Sequence, residues 1–536
     1  MTAPTSAAAA RSWSRLGSLV ALTSLTALFA SCGGGGSAGG PAPAPSPAPS
    51  VDGPAWTQFG GDAQHAANAG IATQDLNRTV WTRALDLAPP FRAGNVLLAH
   101  YGAPVITTKN TVLLPVKTTA AGAYRVDAVV GSTGADLWSL TTDYLMPPHN
   151  WNPSYNLALN AAGRVHAPGA GGKLLYRDAA DSASGAWQSA VFYGNAAYAA
   201  ASATYDASVY INTPITLDAA GNAYFGYVVT GANPSGLSGG GIARIGADGS
   251  GSFVPATTAA NDAGITKAAM NSAPAISPDG QTLYAVVNVP LVAGQTQRGA
   301  LVALDAATLA VKRSVALTEP ALGAAARVSD DGTSSVTVGP DGDVYIGVLE
   351  PTFGTHNARG WLLHFDATLA SVKTPGSFGW DNTPSIVPAA AVTGYTGTSA
   401  YLLLTKYNNY AGAGSGDGQN RVAILDPNAT QADPVTPAVQ SMKEVITILG
   451  PTADPGGGAN AVKEWCVNTA AVDPATKSVL INSEDGMLYR WDLTTNAFSQ
   501  HIMLNGGLGQ AYTPTIVGAD GAVYAVNNAT VYAIGR

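Results

Sequence analysis

One phrase recurs eight times along this sequence and limits the fold more than any other feature. Each copy has a Pro or small residue, an apolar pair, a short turn rich in Asp, Asn and Gly, and then an apolar strand that usually contains Tyr. Clear copies start at Asn212, Asn271, Thr333, Asn468 and Tyr512, and looser copies start at Gly102, Trp151 and Asp381. Repeats of about 59 residues, each with short alternating strands, are typical of β-propellers. The sequence therefore predicts an all-β protein, an eight-bladed propeller of four-stranded antiparallel blades.

The composition agrees with stacked blades and excludes several other classes of protein. Charged residues make up 11% of the chain, whereas 62 Gly and 34 Pro favour turns over helices. These values exclude a coiled coil, a helical solenoid and a charge-rich disordered chain. The formal net charge is −8, and the 26 basic residues are spread along the chain, so the sequence indicates no nucleic-acid partner.

The two ends of the repeat region predict how the ring closes. The last repeat supplies three strands before the chain reaches Arg536, so its fourth strand comes from elsewhere. The segment Thr79–Leu85, before the first repeat, has the length and apolar content of a strand. We expect it to pair with the C-terminal blade, since closure of this kind removes exposed strand edges.

Residues 1–31 have the pattern of a secretory signal peptide. Arg11 and Arg15 precede an apolar stretch, residues 16–29, that is too short to span a bilayer as a helix. The stretch ends in Ala30-Ser31-Cys32, which resembles the lipobox of bacterial lipoproteins and implies that Cys32 carries the lipid. The alternative is an ordinary secretory signal in which the cysteine is incidental.

A tether and one large domain follow the signal peptide. Gly, Pro and Ala dominate residues 32–52, which is typical of a flexible spacer, and the propeller occupies residues 53–536. The order of signal, lipid, tether and body predicts an extracytoplasmic protein, lipid-anchored in the bacterial cell envelope at the outer membrane. We expect the propeller to be monomeric.

Two segments resemble the quinoprotein alcohol dehydrogenase-like, or PQQ-binding-like, β-propeller repeat proteins. The first is Trp56–Gly70, followed by a strand ending in Trp81. The second is Arg125–Trp138, which is similar to the blade-ending motif of that family. The resemblance implies an eight-bladed propeller in which Gly134 and Trp138 lock neighbouring blades, with Trp81 and Trp187 in comparable positions.

The resemblance also raises the question of a cofactor. Alcohol dehydrogenases of this family hold PQQ against a disulfide of adjacent cysteines and a Trp, with Ca²⁺ and a catalytic Asp beneath. This sequence has two cysteines, Cys32 and Cys466, and has neither an adjacent pair nor a CxxCH haem motif. The motifs therefore predict no cofactor and no metal, and leave PQQ with Ca²⁺ open. We interpret Cys466 as a small buried apolar residue.

Loop lengths distinguish the two faces of the predicted ring. Connections from the second to the third strand share a face with the connections between blades, and several are long: residues 229–241, 289–299, 350–360 and 406–420. We call this the long-loop face, and the opposite one, with turns such as SPDGQT, the short-turn face. Long loops on a rigid scaffold are where function usually lies.

The innermost strands begin on the long-loop face with amide, hydroxyl, aromatic and acidic side chains. The candidate ligand-binding residues are Trp151, Asn212, Asn271, Trp380, Asp381, Asn382, Glu464, Trp465, Asn468, Glu484, Asp485 and Tyr512. Such a ring suits a polar, uncharged ligand such as a glycan, or a planar cofactor. Alternatively, these groups hydrogen-bond one another and water in the channel. Among them, Glu464, Glu484 and Asp485 suit acid/base chemistry or Ca²⁺, or else are solvated loop and turn-capping residues.

Two classes of function follow from these observations. The first is a lipid-anchored envelope propeller that binds or scaffolds a glycan or a protein through its long-loop face. The second is an enzyme, either a PQQ-dependent dehydrogenase or a carbohydrate-active propeller that uses Asp381, Glu464 or Asp485. No catalytic residue is assigned from the sequence.

Overall fold

The computed structural model describes residues 51–89, 92–93, 96–97, 101–147, 155–330, 332, 334–507, 509 and 511–536. The predicted signal peptide, Cys32 and nearly all of the tether lie outside these ranges, as does Trp151. Within the described residues, no helix has both the length and the hydropathy needed to cross a bilayer.

The chain starts with a strand of the last blade and then builds four blades in order. This first strand is β1 (Arg78–Ala84), and a small ribbon of β2 (Arg92–Ala93) and β3 (Val96–Leu97) follows. Blade 1 contains β4 (Val105–Ile106), β5 (Thr111–Lys117), β6 (Tyr124–Val130) and β7 (Asp136–Thr141). Blade 2 contains β8 (Ala158–Leu159), β9 (Val165–Pro168), β10 (Lys173–Arg177) and β11 (Gln188–Val191). Blade 3 contains β12 (Val209–Ile211), β13 (Thr216–Leu217), β14 (Ala223–Val229), β15 (Gly240–Ile245) and β16 (Gly251–Pro255). Blade 4 contains β17 (Lys267–Ala268), β18 (Ala275–Ile276), β19 (Thr282–Asn288), β20 (Gly299–Asp305) and β21 (Val311–Ala316).

The other four blades repeat the same antiparallel order. Blade 5 contains β22 (Thr337–Val338), β23 (Val344–Val348) and β24 (Trp361–Phe365), and residues 372–376 form its outer edge through isolated bridges. Blade 6 contains β25 (Ser385–Pro388), β26 (Tyr401–Tyr407), β27 (Arg421–Ala432) and β28 (Gln440–Leu449). Blade 7 contains β29 (Ala471–Asp473), β30 (Ser478–Asn482), β31 (Met487–Asp492) and β32 (Ala497–Met503). Blade 8 contains β33 (Ile516–Val517), β34 (Val523–Asn527), β35 (Thr530–Gly535) and β1. Short helices α1 (Asn195–Ala200), α2 (Ser202–Asp206) and α3 (Ala256–Ala260), and 3₁₀ turns Ala170–Gly172 and Ala389–Ala391, lie between strands.

The core lies between neighbouring blades. The second strands consist largely of aromatic and β-branched residues, as in AYFGYVV of β14, and are mostly buried. Outer strands such as β21, VKRSVA, are mostly exposed. Each interface joins apolar side chains of two blades, for example Leu174 of blade 2 with Phe225 of blade 3. Because both faces of a blade are covered in this way, the chain needs few charged residues, and the predicted eight-bladed propeller is confirmed.

Two tryptophans lock the blades next to the seam between the chain ends. β1 pairs antiparallel with β35, and its Trp81 donates a hydrogen bond from Nε1 to the Gly131 carbonyl of blade 1, at 2.6 Å. Gly134, with φ of +69°, lies directly under the Trp81 ring, where a Cβ would lie 2.7 Å from Cγ of the indole. Trp138 of blade 1 donates to the Ala180 carbonyl of blade 2, at 2.7 Å. Trp187 packs in the same interface as Trp138, but its buried Nε1 has no hydrogen-bond partner.

Candidate functional site

A segment before β1 closes one end of the central channel. We call residues 56–74 the N-terminal plug. It hydrogen-bonds, in chain order, to the inner strands of seven blades: Trp56 to Ile106, Thr57 to Leu159, Gln58 to Leu217, Ala63 to Ile276, Gln64 to Val338, Ala66 to Ile386 and Ala67 to Val472. Because so short a segment reaches seven blades, it lies inside the ring, at the short-turn face where these inner strands end. The channel therefore opens on the long-loop face.

Ionisable side chains from three blades meet at that open end. Four of them are candidates from the sequence, and three are residues that sequence reasoning did not assign to the site. We call this set the mouth cluster: Asp381, Lys406, Tyr410, Glu464, Cys466, Glu484 and Tyr512. Its members lie before β25, at the end of β26, before β29, in the turn after β30 and before β33, so that they come from blades 6, 7 and 8. The long-loop face positions them because all these segments start or end there.

A buried ion pair forms the floor of the mouth cluster. Lys406 Nζ lies 2.5 Å from Oδ1 of Asp381, and the two side chains are 1% and 5% exposed. The ammonium also lies 5.2 Å from the centre of the Tyr512 ring, within the range of a cation–π contact. Burial raises the pKa of Asp381, although Lys406 and a hydrogen bond from Tyr512 oppose that effect. Asp381 is therefore engaged by two partners, and it also has left-handed backbone, with φ of +40°.

Two glutamates and a thiol lie beside this ion pair. One carboxylate oxygen each of Glu464 and Glu484, and the Sγ of Cys466, lie within 4.8 Å of one another. The Cys466 thiol donates to Oε2 of Glu484 at 3.1 Å, and the backbone N–H of Glu464 donates to Oε1 at 3.2 Å. Burial, together with the neighbouring glutamate, raises the pKa of Glu464 to about 8, and burial also raises the pKa of Glu484. At neutral pH the pair can thus hold one proton between two carboxylates.

Cys466 is not arranged as a nucleophile. Burial raises its pKa well above the usual range, and the charges of Glu484 and Glu464 act in the same direction. A thiol that stays protonated is a weak nucleophile. The buried position predicted for Cys466 is observed, at 3% exposed, but its neighbours are polar rather than apolar.

The raised pKa of Glu464 predicts how stability depends on pH. Below its ordinary pKa of 4.5 the side chain is protonated in both states. Between pH 4.5 and 8 the unfolded chain loses the proton first, so the free energy of unfolding falls as pH rises. Since Glu464 is half-buried and partly screened, we expect a fall of about 1–3 kcal/mol across this window. Urea unfolding at pH 5, 6, 7 and 8 measures it.

The variant Glu464→Gln separates this effect from the other titrating groups. Glutamine has no proton to lose, so the variant is expected to lose less stability between pH 5 and 8 than the wild type. Asp417→Asn, at an exposed position, is the matched carboxylate-to-amide control. Equal slopes in the wild type and in Glu464→Gln would contradict the assignment.

The predicted asparagines hydrogen-bond to neighbouring segments of the ring, between blades 3 and 4 or within blades 6 and 7. Asn212 donates from Nδ2 to the Ala268 carbonyl at 3.1 Å, and the backbone carbonyl of Asn212 accepts from the backbone N–H of Asn271 at 2.9 Å. Asn382 accepts from the Lys406 N–H at 3.3 Å through Oδ1, and Asn468 accepts from the Thr469 hydroxyl at 2.8 Å. All four asparagines are buried. Part of these amides thus hydrogen-bonds within the protein, whereas Oδ1 of Asn212 and Nδ2 of Asn382 are buried without a hydrogen-bond partner.

The remaining candidates, the tryptophans and Asp485, are not members of the mouth cluster. Trp465 is buried in the core between blades 6 and 7, with its ring 5.8 Å from that of Tyr489. Asp485 caps its own turn, accepting from the Met487 N–H at 3.0 Å and from the Tyr489 hydroxyl at 2.7 Å. Trp380 is half-buried and adjoins Asp381. Trp151 lies outside the described residues.

The described residues do not fit PQQ with Ca²⁺. Trp465, beside Cys466 in the sequence, is enclosed in the core of blade 7 and offers no stacking face. Calcium prefers oxygen ligands, whereas the group formed here by Glu464 and Glu484 also includes the thiol of Cys466. No reaction step through this cofactor is derived.

Comparison with solved structures finds matches of low sequence identity. A quinohaemoprotein alcohol dehydrogenase from Comamonas testosteroni matches with 13% identity and a TM-score of 0.48, over 91% of this chain and 82% of that chain. BamB from Moraxella catarrhalis matches with 12% identity and a TM-score of 0.41, over 86% and 99% of the two chains. A europium-containing methanol dehydrogenase matches with 11% identity and a TM-score of 0.44, over 88% and 89%.

The eight-bladed fold that the resemblance implies is shown by the strand pairing of the chain itself. No protein-family model and no curated protein matches the sequence. At 11–13% identity, no residue role passes from these structures to this chain. What the site does is therefore argued from its own residues.

Proposed function

We propose that this protein is a lipid-anchored envelope protein that binds a neutral glycan at the long-loop mouth of its propeller. The observation that carries the proposal is the mouth cluster, which three blades assemble at the end of the channel opposite the N-terminal plug. Lipid attachment at Cys32 and location in the outer membrane rest on the sequence of the N-terminus. Mass spectrometry of the mature N-terminal peptide tests them.

A glycan suits the chemistry of the cluster. Sugar hydroxyls donate and accept hydrogen bonds, and a carboxyl pair that shares one proton can do both as well. Glu464, Glu484 and Tyr512 are half-buried, so part of each side chain remains accessible from the mouth. Trp380, also half-buried, lines a cavity together with Asp381 and offers an aromatic surface there. Because Asp381 and Lys406 neutralise each other, the floor of the site favours a ligand without net charge.

The first prediction from this proposal concerns Trp380. In a glycan-binding screen followed by calorimetry, Trp380→Ala is expected to weaken binding about tenfold, the loss of an aromatic contact of about 1–1.5 kcal/mol. The matched control is Lys312→Ala, at an exposed position on the outer strand of blade 4. If the glycan profiles of the wild type, Trp380→Ala and Lys312→Ala are identical, the mouth is not the binding site.

A carbohydrate-active enzyme is the second candidate, and the neighbouring carboxyl groups of Glu464 and Glu484 favour it. Oxygens of the two side chains lie within 4.8 Å of each other, and most glycoside hydrolases use a pair of carboxyl groups. The raised pKa of Glu464 suits a general acid. Asp381, paired with Lys406, and Asp485, held in its turn, are not available for this role. Release of reducing ends that Glu464→Gln abolishes would favour catalysis, whereas binding without release favours the first proposal.

A further inference from the structure

A crevice between blades 2 and 3 lies on the short-turn face, opposite the mouth cluster. It encloses about 170 Å³. Residues of β9, β10 and β11 form one wall, and the turn between β15 and β16, residues 246–249, closes the other side. Ala247 and Asp248 are exposed, so the crevice opens to solvent at this turn. Apolar protein cavities of about 150 Å³ admit benzene, so a molecule with one or two rings can enter.

No tryptophan of β11 covers this interface. At the two preceding interfaces, Trp81 and Trp138 lie on the outer strand of one blade and cover the turn between the third and fourth strands of the next. On β11, the residues that pair with Tyr176 and Leu174 are Gln188 and Ala190, and neither is aromatic. The corresponding turn of blade 3 is residues 246–249, and it is left uncovered.

The walls combine buried aliphatic side chains with polar groups. Buried aliphatic side chains of both blades line the crevice: Leu174, Ala190, Ala223 and Ile245. His166 is 4% exposed, and its Nδ1 is buried without a hydrogen-bond partner. Burial, with help from Arg164, lowers the pKa of His166 to about 4, so the ring is neutral at pH 7. A buried nitrogen without a partner costs free energy that a bound hydrogen-bonding group recovers.

Aromatic and cationic side chains complete the blade 2 wall. The ring of Tyr176 lies 6.5 Å from that of His166, and the guanidinium of Arg164 lies 4.6 Å from the centre of the Tyr176 ring. Asp178 holds that guanidinium through Nε at 2.6 Å. The planar side chains of His166, Tyr176 and Arg164 thus line one side of the crevice, and planar groups of this kind can pack against an indole ring.

We propose that this crevice binds a small planar nitrogen heterocycle, in the position that a tryptophan side chain occupies at the two preceding interfaces. The ring would contact Tyr176 and the aliphatic side chains, and its N–H or ring nitrogen would pair with His166. This site is independent of the function proposed for the mouth cluster, which lies on the other face.

Indole is the probe, and indene, which has the same shape without the N–H, is its control. We expect indole to raise the melting temperature of the full-length protein and to show saturation transfer in NMR. We expect indene to bind about fivefold more weakly, the effect of one net hydrogen bond. Equal affinities would refute the heterocycle assignment, and the absence of any indole signal at millimolar concentration, with only water in the crevice, would refute the site.

The variant Gln188→Trp tests the comparison with the other interfaces. A tryptophan at this position should fill the crevice, raise the melting temperature without ligand and abolish the indole response. Lys312→Trp, on the outer strand of blade 4, should keep the wild-type response. An undiminished response in a folded Gln188→Trp protein would place indole elsewhere. If Gln188→Trp does not fold, the comparison of indole with indene in the wild type decides the proposal.

Discussion

Replacing Lys406 by Met is expected to destabilise the propeller by about 3–5 kcal/mol. Asp381 and Lys406 lie 2.5 Å apart and are almost fully buried. Without the ammonium, Asp381 keeps an uncompensated charge in the interior or takes up a proton, and either outcome costs stability. Burial already raises the pKa of Asp381, so removal of Lys406 should raise it further. Denaturant unfolding at pH 7 measures the loss.

Two further variants decide whether the ion pair causes this loss. The double variant Asp381→Asn with Lys406→Met removes both charges, and we expect it to recover most of the lost stability, since a buried pair contributes little against neutral groups of similar size. Lys463→Met is the matched control, because Lys463 and Asp454 form a more exposed pair whose loss should cost about 0–1 kcal/mol. A loss in Lys406→Met no larger than that of Lys463→Met would show that the mouth cluster does not depend on this pair.

The architecture could be predicted because the strands of each blade are recognisable within one repeat of the sequence. An interior strand such as β14 is recognisable from its aromatic and β-branched residues, and its neighbours in the sequence are also its neighbours in the sheet. The positions of Trp81 and Trp138 between blades could also be predicted, because they belong to segments that resemble a known repeat family. The N-terminal plug had no such signal. Its partners are the ends of strands from seven blades, so residues 56–74 have no period of 2 or 3.6 that a pattern could show.

The site was predictable only in part. The starts of inner strands locate Asp381 and Tyr512 at the long-loop face, because the repeat places them there. Lys406 stands at the start of a long loop in the sequence, and nothing local shows that its ammonium turns inward to Asp381. Trp465 was expected at the mouth, but its ring enters the core between blades 6 and 7. Its neighbours Glu464 and Cys466 do reach the mouth. Neighbours in an extended segment point in opposite directions, so proximity in the sequence was misleading there.

Deleting residues 51–74 is expected to have the largest effect of all, the loss of most of the stability of the propeller. The N-terminal plug makes eight backbone hydrogen bonds with the inner strands, which together contribute roughly 4–12 kcal/mol. Native domains have about 5–15 kcal/mol in total. The deletion also exposes the buried faces of Trp56 and His65, and leaves inner-strand groups without partners. Circular dichroism during heating measures the change.

The control and the rescue experiment distinguish a structural plug from a dispensable extension. Deleting residues 33–50 instead shortens only the tether and should leave the melting temperature unchanged. A synthetic peptide of residues 51–77, added in trans to the truncated protein, should raise its melting temperature. Repeats that contact only their neighbours unfold progressively, whereas a segment bonded to seven blades makes each depend on the rest. The wild type should therefore unfold in one transition and the truncated protein in several, and a single unchanged transition after the deletion would mean that the blades alone hold the ring together.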